Sequence, residues 1–171
     1  MDKTTTQELL AQAELLCAQR GVRLTPQRLE VLRLMSLQEG AISAYDLLDL
    51  LRVKEPQAKP PTVYRALEFL LEQGFVHKVE SANSYVLCHL FDQPTHTSAM
   101  FICDRCDVVK EECAEGVEDI MHTLAAKMGF ALRHNVIEAH GLCSGCVEVE
   151  ACRAHEDCQH DHTIQIKKKS R

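Results

Sequence analysis

The chain has 171 residues, 46% of them hydrophobic, 26% charged and 5% aromatic, with no tryptophan; cores must therefore be built from aliphatic side chains. Its formal net charge of -6 argues against broad, nonspecific nucleic-acid binding. No stretch reaches the roughly 20 apolar residues of a membrane span, so a cytoplasmic protein without membrane contact is expected, and in that reducing compartment nine cysteines beside nine histidines point to metal ligation rather than disulfides.

Residues 5–20 carry Leu9, Leu10, Ala13, Leu16 and Cys17 at spacings of three and four, which predicts an amphipathic helix closed by Gly21. Cys17 falls on its apolar face and reads as core. Thr25-Pro26 supplies an N-cap and a proline at the first helical position, opening a second helix to about Ser36 with Leu29, Leu32 and Met35 inward. Arg20, Arg23 and Arg28 lie in a stretch free of acids, which leaves room for a local basic face despite the overall charge. Ser43-Ala44-Tyr45-Asp46 has the form of a capping box, so a third helix bearing Leu47, Leu48 and Leu51 is expected.

A fourth helix is predicted over residues 61–73, with Val63, Leu67, Leu70 and Leu71 inward, Tyr64, Arg65 and Glu68 outward, and Gly74 ending it. Residues 75–80 and 84–89 read as short strands around the turn Ser81-Ala82-Asn83. Helices followed by such a hairpin make a winged helix-turn-helix. In that setting Tyr45, Lys59, Thr62, Tyr64 and Arg65 are the candidate DNA contacts: the first turns of a recognition helix enter the major groove, where arginine donates two hydrogen bonds to guanine and hydroxyl groups reach phosphate.

The proline and polar residues of 92–96 suggest a hinge. Beyond it, strands are expected over 98–102 and 108–111, a helix over 117–128 and a strand over 130–138. The fold class is thus α+β: a winged helix-turn-helix over 1–91, a hinge over 92–96, and a small α/β unit over 97–152. The core of that unit is too small to stand alone, so it is expected to be a dimerisation domain held by a partner subunit and, through its cysteines, by structural zinc. Residues 153–171, with His155, Cys158, His160, His162 and Lys167-Lys168-Lys169, read as a mobile tail.

Cys103-Asp104-Arg105-Cys106 and Cys143-Ser144-Gly145-Cys146 are the strongest chemical signal. Two residues between thiols let one tight turn offer both sulfurs to a cation, and two such turns complete a closed, tetrahedral zinc shell. Two enzymatic alternatives lack their signatures. A thiol oxidoreductase expects its CxxC in a βαβ setting, and a zinc hydrolase needs an open coordination position beside a general base. No nucleophile elbow or phosphate loop is present, so neither an enzyme nor a small-molecule substrate is expected.

The order of Leu24-Thr25-Pro26-Gln27-Arg28, Ile42-Ser43-Ala44, Pro61-Thr62-Val63-Tyr64-Arg65-Ala66-Leu67, His96 before a strand, Cys103-x-x-Cys106 and Cys143-x-x-Cys146 resembles the ferric uptake regulator family over nearly the whole chain. The resemblance implies a transcriptional repressor that binds an AT-rich inverted repeat of double-stranded DNA as a metal-loaded homodimer, with Cys103, Cys106, Cys143 and Cys146 holding structural zinc. It also implies a sensing site at the hinge, where the family usually places a carboxylate in the second wing strand and a His-x-His pair after it. Here those positions hold Cys88 and His96, the latter followed by Thr97 and Ser98. A thiolate in place of an oxygen ligand softens the site and favours zinc over iron or manganese. The regulatory ligands expected are His77, Cys88, His96 and Glu111, with His89 demoted because strand alternation points it away from Cys88. The reading is a zinc-responsive repressor of zinc uptake genes with two zincs per subunit, one structural and one regulatory. A sensor of iron, manganese or peroxide from the same family is the alternative.

Overall fold

The computed structural model describes residues 3–38, 40–90, 97–132 and 135–153. The chain divides into two units, Met1–His96 and Thr97–Arg171.

The first unit holds α1 (Lys3–Gln19), α2 (Pro26–Ser36), α3 (Ala44–Arg52), α4 (Pro60–Glu72), β1 (Val76–Val79) and β2 (Ser84–Leu87). Local chemistry sets these boundaries. The Thr25 side chain accepts from the Arg28 amide, and Ser43 accepts from the Asp46 amide at 3.1 Å. The Asp46 carboxylate returns to the Ser43 hydroxyl, which donates to it at 2.6 Å, rather than to a backbone amide as in a full capping box. Two prolines open α4, so the helix begins at Pro60, one residue earlier than predicted; neither has the N–H that the first turn would leave unpaired. Its end is a Schellman turn: the Phe75 amide bonds Leu70 O at 2.9 Å, the Gly74 amide bonds Leu71 O at 3.0 Å, and Gly74 takes φ 72, a left-handed conformation. That turn buries Phe75 and launches β1.

Val31, Leu32, Leu47, Leu51, Val63 and Leu67 form the centre of the core of this unit, and Cys17 is buried among them as expected. β1 and β2 pair antiparallel around a turn in which Asn83 has φ 45. Reciprocal 2.8 Å bonds between Ile42 and Tyr85 tie the approach to α3 to the wing. Both strands are shorter than the sequence suggested, and Cys88 lies one residue past β2 rather than within it.

The second unit holds β3 (Ser98–Cys103), β4 (Val109–Cys113), α5 (Val117–Lys127), β5 (Ile137–Gly141) and α6 (Ser144–Arg153). Its sheet runs β4-β3-β5, with β3 antiparallel to β4 and parallel to β5. Two expectations need correction. The strand predicted over 130–138 begins only at Ile137, because Ala99 of β3 first meets a partner there. No element was expected between the second cysteine pair and the tail, yet Ser144–Arg153 is a helix whose first turn closes on the Cys143 carbonyl. Among the described residues no helix is long and apolar enough to cross a membrane. The predicted hinge residues His96, Pro94 and their neighbours lie outside the described residues, as do His155, Cys158, His160 and His162.

Candidate metal centres and nucleic-acid interface

Two local structures carry the four cysteines. The first is the turn between β3 and β4, where the Asp107 amide bonds Cys103 O at 2.9 Å and the Cys103 amide bonds Val108 O at 2.9 Å. The second is the first turn of α6, where the amides of Cys146 and Val147 both bond Cys143 O at 2.9 Å. The β3/β5 pairing brings the turns together, and the Asp104 amide donates to Gly141 O at 2.8 Å. The Sγ atoms of Cys103, Cys106, Cys143 and Cys146 all lie within 4.8 Å of one another, and all four are free thiols. Cys106 and Cys143 are 3.7 Å apart, sulfur to sulfur. Zinc–sulfur bonds of about 2.3 Å give a tetrahedron with edges of about 3.8 Å, so the set fits zinc.

The electrostatics agree. Burial pushes the Cys103 thiol up, but the amides of Cys143, Cys106 and Arg105 outweigh it and bring it to about 6. Burial and the neighbouring sulfurs push Cys146 up to about 12. Cys103 is thus ready to ionise, whereas the crowding of sulfurs opposes a set of four thiolates unless a cation sits among them.

The wing supplies a different donor set. His77 on β1 faces Val86 of β2, and the Cys88 amide bonds Phe75 O at 3.0 Å. In this register Cys88 stands diagonally across from His77 on the same face, and their ligand atoms lie within 4.8 Å of each other. Cys88 is fully buried and His77 half-buried, while His89 is exposed, as alternation predicts. In the second unit Glu111 sits on β4 opposite Met100, and its carboxylate accepts from the Ser98 hydroxyl at 2.5 Å. His96 lies outside the described residues.

On α4, Val63, Ala66, Leu67, Phe69 and Leu70 are buried. Lys59, Tyr64 and Arg65 are left exposed and Thr62 half-buried, and Tyr45 projects from α3 at 66% exposure. Tyr64 and Arg65 border a shallow groove of about 310 Å³ with Pro61, Glu68, Leu71 and Tyr85. The basic stretch of α1 and α2 is partly spent inside the unit. Arg28 stacks 3.8 Å over Phe69 and donates to Arg23 O at 2.7 Å, and Arg20 donates to Gln73 O at 2.6 Å. Of the three arginines Arg23 alone stays exposed.

Sequence reasoning missed Arg105. Its guanidinium donates to Cys146 O at 3.1 Å, a contact across 41 positions for which no local signal exists.

A winged helix-turn-helix followed by a sheet unit that gathers four cysteine sulfurs defines a class, winged-helix proteins with a candidate metal centre. The chain belongs to the Ferric uptake regulator family, whose model matches residues 19–140. It is 88% identical over 171 residues to the Zinc uptake regulation protein of Escherichia coli (strain K12), covering 100% of both chains. Among solved structures it is similar to "Zinc Uptake Regulator Complexed With Zinc AND DNA", with TM-score 0.85 and 92% identity over 88% of this chain and 100% of that one. It is also similar to "Crystal structure of holo XcZur", with TM-score 0.77 and 40% identity over 82% of this chain and 98% of that one.

Proposed function

We infer that this chain is a zinc-responsive, DNA-binding transcriptional repressor of zinc uptake genes, with zinc as corepressor; it is a regulator and not an enzyme. The observation that carries the reading is the 88% identity along the full length to a zinc uptake regulation protein, joined by the similarity to a regulator solved with zinc and DNA.

Each subunit takes two zincs in this reading. Cys103, Cys106, Cys143 and Cys146 hold the structural ion and stabilise the second unit, which has few buried side chains among its described residues. That unit leaves Phe101, Ile120, Leu124, Met128 and Phe130 exposed, an apolar surface that supports homodimerisation. His77, Cys88, His96 and Glu111 form the regulatory set. One thiolate and one carboxylate give it a charge of about -2, which a bound zinc ion neutralises. The pairing of half-buried His77 with fully buried Cys88 supports a preformed wing half of this site.

His77 and Cys88 belong to the wing, His96 to the linker and Glu111 to the second unit, so completing the ligand set restricts the orientations of the winged units. In a dimer that restriction selects the arrangement matching two half-sites of an AT-rich inverted repeat, about one helical turn apart. A hundredfold selection requires about 2.7 kcal/mol of differential binding, well within the reach of a four-ligand site. Tyr45, Lys59, Thr62, Tyr64 and Arg65 make the DNA contacts.

The test is fluorescence anisotropy of a labelled inverted-repeat duplex while free zinc is buffered upward, with iron(II) and manganese(II) run in parallel. Binding that rises with zinc at the lowest free metal concentration is the expected result; equal binding without metal refutes the corepressor role.

A further inference from the structure

We propose that Arg105 is a positioning residue for the four-cysteine centre, a clasp that holds the second cysteine turn against the first and offsets the negative charge of the ligand set. The inference rests on the structural-zinc reading above and concerns a residue outside its ligands.

Arg105 acts on the centre from two sides. Its backbone lies in the turn between β3 and β4, between the ligands Cys103 and Cys106. Its side chain crosses to the other half, where Nη1 donates to the carbonyl oxygen of Cys146 at 3.1 Å. Half-buried Arg105 therefore links a ligand on β3 to the backbone of a ligand on α6. Other links between the halves are the Asp104 amide to Gly141 O, the 3.2 Å contact of His140 Nδ1 with Asp104 Oδ1, the Cys143 amide to Cys103 Sγ at 3.3 Å, and the 3.7 Å approach of the Cys106 and Cys143 sulfurs. In the second half these reach no further than Cys143, whereas the Arg105 bond reaches the backbone of Cys146, at the far end of its turn.

Charge points the same way. Four thiolates around one divalent cation leave a net charge of about -2. A guanidinium beside them is always protonated, sheds its hydration more readily than an ammonium, and offers several donors in a planar fork. Outer partners of metal ligands commonly change metal affinity by roughly 10- to 100-fold when removed, because they fix ligand orientation and charge.

The experiment measures zinc affinity of the tightly held site in the full-length chain by equilibrium competition with a chelator of known affinity. Dimer state and the sulfur-to-metal charge-transfer absorption of the cobalt(II)-substituted protein are recorded alongside. Arg105→Ala is expected to weaken the site about 10- to 100-fold while a cobalt–thiolate band remains. Arg105→Lys restores the charge without the fork and falls between the alanine variant and wild type. Lys110→Ala, which removes an exposed cation from β4 of the same sheet, leaves affinity unchanged.

Wild-type affinity in Arg105→Ala overturns the proposal. Should the alanine chain fail to give a dimer, the lysine chain decides: affinity equal to wild type overturns the clasp, and a measurable loss supports it. A wild-type chain with no chelator-resistant zinc defeats the structural-zinc reading itself and the proposal with it.

Discussion

Glu30→Gln isolates one ionic junction of the winged unit. The Glu30 carboxylate, 17% exposed, accepts two hydrogen bonds of 2.7 Å from the Arg33 guanidinium and a 3.0 Å contact from Lys54 Nζ. Lys54 lies just past α3 on the way to α4, so the junction pins α2 to the segment that launches the recognition helix. The Arg33 hydrogen bonds, partly opposed by burial, lower the Glu30 pKa from 4.5 to about 2. At 1.36 kcal/mol per pKa unit this is a ceiling of about 3 kcal/mol. Because Lys54 is mostly in solvent, roughly 1–2 kcal/mol is the usable figure after screening. The folded-state pKa is depressed, so this stability is present above the unfolded value of 4.5 and is lost as pH falls toward about 2. Glutamine keeps the shape and removes the charge. All three tyrosines, Tyr45, Tyr64 and Tyr85, lie in the winged unit and the chain has no tryptophan, so tyrosine emission during urea denaturation reports on that unit alone. The variant is expected to be roughly 1–2 kcal/mol less stable near neutral pH, with the gap closing as wild-type Glu30 is protonated. A gap of the same size near pH 2 would refute the ionic argument, and no gap at neutral pH would show the junction to be energetically silent.

Three further outcomes follow from the sites. Cys143→Ala removes one of four sulfurs and is expected to abolish chelator-resistant zinc and weaken the dimer; elemental analysis with sedimentation reads both, and a zinc-replete dimer would contradict the structural assignment. Cys88→Ser keeps the size of a buried side chain while removing its thiolate, so operator binding should lose its dependence on zinc while helicity by circular dichroism is retained; an unchanged zinc dependence places the sensing site elsewhere. Arg65→Ala should cost about 1–3 kcal/mol of operator affinity if the side chain reads a base, or lower the salt dependence of binding by about one counterion if it touches phosphate; affinity and salt slope both equal to wild type would remove Arg65 from the interface.

The helices of the winged unit were legible because their signals are local. Thr25 and Ser43 cap with their own side chains, Pro60 and Pro61 open α4, and Gly74 closes it, all within a turn of the boundary. β5 was misjudged because a strand end depends on its partner. The apolar residues Phe130 and Val136 have β-prone character, yet pairing with β3 starts at Ile137. α6 was missed for a related reason: Ser144 and Gly145 are indifferent helix formers, and the turn is fixed by amides closing on Cys143 O. The four cysteines were legible as two local spacings, and the nearness of His77 to Cys88 follows from hairpin register. Arg105 was not legible at all, since its partner is a backbone carbonyl, which every residue possesses.

The two proposed centres differ in a way that suits their roles. A shell of four sulfurs offers no open position, and in a unit with so small a core the free energy of binding zinc is largely free energy of folding. Such a site cannot also report on zinc supply, because the protein would have to unfold to answer. A sensing site needs ligands on parts that remain folded without the ion. His77 and Cys88 meet this condition through the hairpin, and Glu111 meets it through the β3/β4 pairing and its bond from Ser98. On the proposed reading, bound zinc then changes orientation rather than folding, and orientation is what a pair of half-sites on DNA can read.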